Sequence, residues 1–128
     1  MDDLIKQRLF AFRSSCRLYL NEKETAKQLE DKYPGIEKLS DQSLSVPHLE
    51  SYGYKGDKEL YIFLKQDIKF VEETFDRIEK TCGSSARVLM YSLYVLGMTQ
   101  AAAAEENGIS RRQLQYSLNK WIRAVFDD

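Results

Sequence analysis

The sequence has few residues that interrupt helices and few that bind metals: its 128 residues include two prolines, six glycines, two cysteines and one histidine. No apolar run approaches the roughly 18 residues that a membrane span needs, so we expect no membrane helix. The opening segment Met-Asp-Asp-Leu-Ile-Lys also lacks the basic start and apolar stretch of a secretion signal. These absences predict a cytoplasmic protein.

The chain also lacks the residue patterns of catalytic and metal sites. Cys16 and Cys82 fall on apolar positions of predicted helices, which favours reduced, buried thiols over a disulfide. His48 has no cysteine or acid at ligand spacing, which favours a surface histidine over a metal ligand. A Gly-rich phosphate loop, a nucleophile elbow and a His-based catalytic pair are all missing. We therefore expect no enzymatic activity, no catalytic residue, no metal and no cofactor.

Apolar residues are plentiful, at 43%, so the chain can bury a core. The net charge of -1 does not by itself indicate nucleic-acid binding. Its distribution is more informative, because residues 110–126 contain four basic side chains and no acid. A locally basic helix on a nearly neutral protein can still attract phosphates.

Residues 2–32 are predicted to form one long helix. Asp2 or Asp3 can cap its start, and Pro34-Gly35 ends it, because proline disfavours the helical region for Tyr33. Its apolar seam has helical spacing and consists of Ile5, Leu9, Phe12, Cys16 and Tyr19. Residues 34–56 then form a long loop, which by its length is functional or mobile.

A second long helix is predicted from Asp57, a good N-cap, to about Thr81. Its seam has the same spacing and consists of Tyr61, Leu64, Ile68, Val71, Phe75, Ile78 and Cys82. Leu60, Phe63 and Phe70 are expected to broaden its buried face. The two seams predict an antiparallel helical hairpin, although the same seams could instead pair between two chains as a homodimer.

Three shorter helices are predicted in the last 45 residues. Ser84 or Ser85 caps the first, which ends at Gly97, and Thr99 caps a short alanine-rich second. Ser110 caps the third, which runs to about Phe126, with Gln113 completing a capping box.

The spacing within these helices is typical of a helix-turn-helix. Ala104 is small where two helices cross, Gly108 tolerates the positive φ of a turn, and Ile109 fills the space beneath it. The predicted buried stripe of the third helix then consists of Leu114, Leu118, Trp121 and Val125.

The opposite face of the third helix carries side chains suited to a DNA major groove. Arg111, Arg112, Gln115 and Tyr116 are expected to reach base edges, because they lie near the start of the helix. Asn119, Lys120 and Arg123 are expected at phosphates or at the edge of the groove. Thr99 and Gln100 are candidates for phosphate contacts at the start of the second helix.

This stretch resembles region 4 of bacterial sigma factors, and the whole chain resembles the ArpU-like regulators of phages and prophages. The resemblance is carried by Leu93-Tyr-Val-Leu-Gly-Met-Thr-Gln, Ala104, Gly108-Ile-Ser-Arg-Arg-Gln-Leu-Gln-Tyr-Ser-Leu and Trp121. It implies a regulator of late phage genes in a bacterial host cell. Over residues 1–83 only the length, the helical order and a Tyr-Pro-Gly-type break agree with the family.

The expected fold is all-α, with a helical hairpin in residues 1–83, including the loop at 34–56, and a helix-turn-helix domain in residues 84–128. The expected function is sequence-specific binding of double-stranded DNA in transcription regulation. The alternative is a protein-interaction module that binds RNA polymerase or another protein, with the helix-turn-helix not acting on DNA. The sequence does not decide between a monomer and a homodimer.

Overall fold

The computed structural model describes residues 2–39 and 54–127, and this part of the chain is helical and contains no strand. The all-α class is thereby confirmed for these two ranges. Its helices are α1 (Asp3–Lys32), a 3₁₀ helix (Ile36–Leu39), α2 (Tyr54–Cys82), α3 (Ser84–Tyr94), α4 (Gln100–Glu106) and α5 (Arg111–Phe126). None of the helices described is both long and apolar enough to cross a membrane.

The limits of α1 follow from its flanking residues. The Asp2 carboxylate accepts a 2.7 Å hydrogen bond from the backbone N–H of Leu4, which confirms Asp2 as a cap. At the other end, Gly35 has a φ of 91°, a conformation that glycine adopts without steric cost. The 3₁₀ helix follows, so the predicted loop is partly helical. His48, predicted to be a surface histidine, lies outside the described residues.

Two predicted helix caps are wrong. Helix α2 begins at Tyr54, three residues before the expected cap, so Asp57 lies inside its first turn and binds Tyr33 and Lys32 instead. Helix α3 begins at Ser84 directly after Gly83, and no side chain caps it. Because Gly83 separates α2 from α3 without a longer linker, the serines are already helical.

The helices form two compact units. One unit takes the described residues up to Leu18 and those from Val71 onward, and the other takes the described residues between Tyr19 and Phe70. Helices α1 and α2 therefore each contribute to both units. The domain boundary predicted between residues 83 and 84, which separates the helical hairpin from the helix-turn-helix domain, stays a prediction.

The larger unit, which also contains α3, α4 and α5, has an aromatic cluster at its centre. Phe12 of α1 is fully buried, and its ring centroid lies 5.1 Å from that of Phe75, 6.1 Å from that of Tyr94 and 5.5 Å from that of Phe126. Arg8 donates a 3.0 Å hydrogen bond to the carbonyl oxygen of Phe126. These contacts pack α1 against α2, α3 and α5 within this unit.

Polar contacts join α1 and its extension to α2 in the smaller unit. The Tyr61 hydroxyl donates a 2.6 Å hydrogen bond to Glu30, and the Tyr33 hydroxyl donates one of the same length to Asp57. Glu30 pairs with Tyr61, whereas the later residue Tyr33 pairs with the earlier residue Asp57. The two helices therefore run in opposite directions in this unit. The bond from Tyr33 is also the main reason that the pKa of Asp57 is lowered.

Glu22 is the buried acid of the smaller unit. Its side chain is 6% exposed, and neither carboxylate oxygen has a hydrogen-bond donor. Burial first, and then the neighbouring Asp67 carboxyl, raise the pKa of Glu22 to about 8. The protonated side chain can donate its proton to Asp67, which avoids an uncompensated charge in the interior.

The predicted seams largely match the buried residues. In α1, Ile5, Phe12, Cys16 and Tyr19 are buried and Leu9 is half-buried, and in α2 every predicted seam residue except Cys82 is buried. Cys16 and Cys82 are not joined in a disulfide.

The expected broadening of the α2 face is wrong, because Leu60, Phe63 and Phe70 are 42%, 59% and 41% exposed. A single partner helix covers only a narrow seam of a helix, and these residues lie beside the seam.

Candidate nucleic-acid interface

Helix α4 packs through the last two of its four alanines. Ala103 and Ala104 are buried, whereas Ala101 and Ala102 are exposed. The Thr99 hydroxyl accepts a 3.1 Å hydrogen bond from the backbone N–H of Ala102, which confirms the predicted cap. Small residues on the buried side allow α4 to lie close to its neighbours, and α4 contacts both α3 and α5.

The turn between α4 and α5 has the geometry that its sequence predicts. Gly108 has a φ of 69°, and its backbone N–H donates to the carbonyl of Glu105 at 3.1 Å. The N–H of Ile109 donates to the carbonyl of Ala104 at 3.0 Å. A side chain at position 108 would be strained at this φ, so glycine is the residue that the turn requires.

Helix α5 begins with the predicted capping box. The Ser110 hydroxyl accepts a 3.1 Å hydrogen bond from the backbone N–H of Gln113, and the Gln113 side chain accepts a 2.8 Å bond from the backbone N–H of Ser110. Two backbone donors that lack partners within the helix are satisfied in this way. The direction in which α5 leaves the turn is therefore fixed by local bonds.

The buried stripe of α5 differs from the prediction at one position. Leu114, Leu118 and Val125 are buried as expected, but Ile122 and Phe126 complete the stripe, and Trp121 is only half-buried. At 100° per residue, positions 121 and 122 point in clearly different directions. Phe126 packs against Phe12 of α1, and Ile122, four residues earlier, lies on the same side of α5. This side therefore faces the core.

Four of the predicted DNA-binding residues form a single exposed line on α5. Arg112, Tyr116, Asn119 and Arg123 are spaced four, three and four residues apart, so they span about 60° of the helix circumference. All four are exposed, and Tyr116 is 75% exposed. Helix α5 contains no acid, so these side chains share a face with basic character.

The other predicted site residues lie around this line. Arg111 is exposed at the first residue of α5, and Gln115 donates a 3.1 Å hydrogen bond to Gln100 of α4. Thr99 is exposed, but its hydroxyl is used in the cap of α4.

Lys120 is exposed and lies near the end of α2. Its charge lowers the pKa of the Cys82 thiol, against the larger rise that burial causes. Four residues after Tyr116 on the same helix, Lys120 lies about 40° from it, at the side of the exposed line that is closer to Cys82.

Two clefts border the exposed line. One, of about 490 Å³, is lined by Ile109, Ser110, Arg112, Gln113, Tyr116 and Ser117. The other, of about 370 Å³, is lined by Leu9, Arg13, Tyr94, Gln100, Gln115, Leu118, Asn119 and Ile122. The second cleft brings polar groups from α1, α4 and α5 together at one opening.

Arg13 is the member of this second cleft that sequence reasoning missed. Its guanidinium carbon lies 5.3 Å from the centre of the Tyr94 ring, within the range of a cation–π contact. Burial raises the pKa of Tyr94, and the charge of Arg13 opposes that rise. A signal was present in the sequence, because residues 4–21 contain four basic side chains and no acid.

The described ranges, 2–39 and 54–127, hold no group of three or more histidine, cysteine, aspartate or glutamate side chains that could bind a metal ion. No family model, curated protein or solved structure matches this chain.

Proposed function

We propose that this protein binds duplex DNA in a sequence-specific manner and regulates transcription. In this proposal α1 and α2 form a helical hairpin, and α3, α4 and α5 act as a helix-turn-helix whose recognition helix is α5. The single observation that carries the proposal is the exposed, acid-free face of α5, which has Arg112, Tyr116, Asn119 and Arg123 in one line.

The dimensions of α5 suit a major groove. The groove is about 12 Å wide and admits one α-helix, and its base edges present donors and acceptors that arginine, asparagine and glutamine can bind. In our proposal Arg111, Arg112, Gln115 and Tyr116 reach the bases. Phosphate contacts come from Asn119, Lys120 and Arg123 on α5, together with Thr99 and Gln100 at the start of α4.

The proposal can be tested by selecting bound duplexes from a random-sequence DNA pool and measuring affinity as a function of salt. Because phosphate binding releases counterions, the logarithm of the affinity should fall linearly with the logarithm of salt concentration. Arg111→Gln with Arg112→Gln should weaken binding at least tenfold, because one arginine pairing with a base contributes about 1–3 kcal/mol.

A matched control is available on α2. Arg77→Gln with Lys80→Gln removes the same charge from two exposed positions outside the proposed interface. This control should bind nearly as the parent does. If the parent selects no DNA, or the Arg111 and Arg112 variant binds as tightly as the parent, the proposed function is wrong.

The biological setting of the proposal comes from the resemblance to ArpU-like regulators. It places the protein in the cytoplasm of a bacterial cell, acting on late phage or prophage genes. RNA polymerase is then a second partner to test. A homodimer would favour two half-sites about one helical turn apart, whereas a monomer would favour a short asymmetric element.

A second candidate function is a protein-interaction module, and one observation in the smaller unit favours it. Leu20, Leu60, Phe63 and Phe70 are large apolar side chains that this unit exposes. Exposed apolar groups of this size are typical of contact surfaces when they adjoin one another. Measuring mass in solution, and pull-down with purified RNA polymerase, tests this candidate: a monomer that binds no polymerase would contradict it.

A further inference from the structure

The N-terminal half of α1 carries an exposed basic stripe, which we define as Lys6, Arg13 and Arg17. All three side chains are exposed, and residues 4–21 contain no acid. Together with the exposed Phe10, the stripe has spacings of four, three and four residues. These positions span about 60° of the helix circumference, so they share one face.

This face adjoins the proposed recognition helix. Arg13 lines the same 370 Å³ cleft as Gln115 and Asn119 of α5. The contact between Phe12 and Phe126, and the hydrogen bond from Arg8 to the Phe126 carbonyl, hold α1 beside α5 within the larger unit. The Tyr94 ring under the guanidinium restricts the position of Arg13 at the opening of the cleft.

The spacing of the two helices matches the spacing of DNA features. Packed helices lie about 8–10 Å apart, and a major groove is about 12 Å wide. When one helix occupies the groove, a neighbouring helix on the same side lies over the phosphates that border it. Basic side chains at that place meet a regular array of negative charge, which gives complementarity without reading the sequence.

We infer that the basic stripe of α1 is a second contact surface for duplex DNA, one that binds the phosphate backbone next to the groove occupied by α5. This inference rests on the proposed function and extends it to a helix outside the helix-turn-helix. The stripe supplies affinity and fixes the orientation of the protein on the duplex, and α5 supplies the sequence preference.

The test compares three double variants of the full chain on the same selected duplex: Arg13→Gln with Arg17→Gln, Arg111→Gln with Arg112→Gln, and the control Arg77→Gln with Lys80→Gln. Removing one phosphate-binding side chain lowers the salt slope by about 0.9. The α1 variant should therefore bind about tenfold more weakly at about 50 mM salt. Because two such side chains are removed, the slope falls by about 1.8, and the variant and the parent should bind with nearly equal affinity by about 200 mM salt.

Sequence preference separates the two surfaces. The α1 variant should weaken binding to preferred and scrambled duplexes by the same factor, whereas the α5 variant should lose preference as well. If the α1 variant keeps the parental affinity and salt slope while the α5 variant loses binding, the inference about α1 is wrong and the proposed function stands. If the parent binds no duplex, both are wrong.

Arg13→Gln also removes the contact with Tyr94, so two further measurements separate binding from folding. Arg17→Gln alone leaves that contact in place and should still lower the salt slope by about 0.9. Replacing Phe10 by photoreactive benzoylphenylalanine should give a crosslink to DNA, whereas the same replacement at exposed Phe63 should not. An unchanged slope for Arg17→Gln together with no crosslink from position 10 would overturn the inference.

Discussion

The side-chain nitrogen Nε2 of Gln115 donates a 3.1 Å hydrogen bond to Oε1 of Gln100, which joins the exposed face of α5 to the first residue of α4. Both residues are predicted DNA-binding residues, and the bond restrains the orientation of the Gln115 amide. Since the bond links neutral groups and is open to solvent, its net contribution to stability is at most about 1 kcal/mol. Its main effect is to hold the Gln115 side chain in one orientation.

Gln115→Ala should reduce the preference for the selected duplex over a scrambled one by about 1–3 kcal/mol, the scale of one base contact. Gln100→Ala keeps the Gln115 amide but removes the hydrogen bond that restrains its rotation, so a smaller loss of preference is expected. Competition binding with both duplexes measures these effects. Gln28→Ala, an exposed position on α1, is the control. Equal preference in the parent and the Gln115 variant would exclude Gln115 from base reading.

Ala104 limits how closely α4 can approach its neighbours. Ala104→Leu should lower the free energy of unfolding by about 1–3 kcal/mol, because the buried position has no space for three further carbons. Ala101→Leu adds the same atoms to an exposed position of the same helix and should change stability little. Urea unfolding of the two variants measures the difference, and equal midpoints would contradict tight packing at position 104.

The capping box at the start of α5 should contribute measurably to stability. Ser110→Ala removes the acceptor for the Gln113 backbone N–H and should lower the free energy of unfolding by about 1 kcal/mol. Gln113→Ala removes the reciprocal bond. A double-mutant cycle should show a smaller combined loss than the sum of the two single losses, because the bonds position each other. Simple additivity would mean that the two bonds act independently.

The raised pKa of Glu22 predicts that the stability of the protein falls between about pH 4.5 and about pH 8. Its pKa is raised from 4.5 to about 8 in the folded protein, so the folded state binds this proton more tightly than the unfolded chain does. The contribution of Glu22 to stability is therefore fully present below about pH 4.5 and is lost as the pH rises toward about 8.

Glu22→Gln should remove this dependence, because an amide keeps the shape and a donor for Asp67 without a charge. At pH 8 the variant should exceed the parent in stability by roughly 1–3 kcal/mol. Glu24→Gln, at an exposed position two residues away, is the control and should behave as the parent does. Denaturant unfolding between pH 5 and about pH 8 measures the slopes, and equal slopes for the parent and the Glu22 variant would contradict a raised pKa for Glu22 in the folded protein.

Short-range features were the most predictable from sequence. The end of α1 before Pro34-Gly35, the Thr99 cap, the positive φ of Gly108 and the capping box of α5 are all confirmed. Each depends on backbone sterics and hydrogen bonds among residues within a few positions of one another. The caps of α2 and α3 were wrong, because Asp57 binds Tyr33 and Gly83 directly precedes α3.

The candidate interface shows the same division between local and distant effects. Spacing alone predicts that Arg112, Tyr116, Asn119 and Arg123 share a face of α5. The sequence did not predict that Arg13 lines a cleft with Gln115, since residues about 100 positions apart meet only when the helices pack.

By itself the sequence determined the helical class, most helix ends and the polar line on α5. Helical periodicity and capping depend only on residues that are close together in the sequence. Only the tertiary structure decided that Ile122 rather than Trp121 faces the core, that Phe63 stays exposed and that Glu22 is buried. Burial depends on which helix packs against which side of another, and that choice depends on contacts between residues distant in the chain.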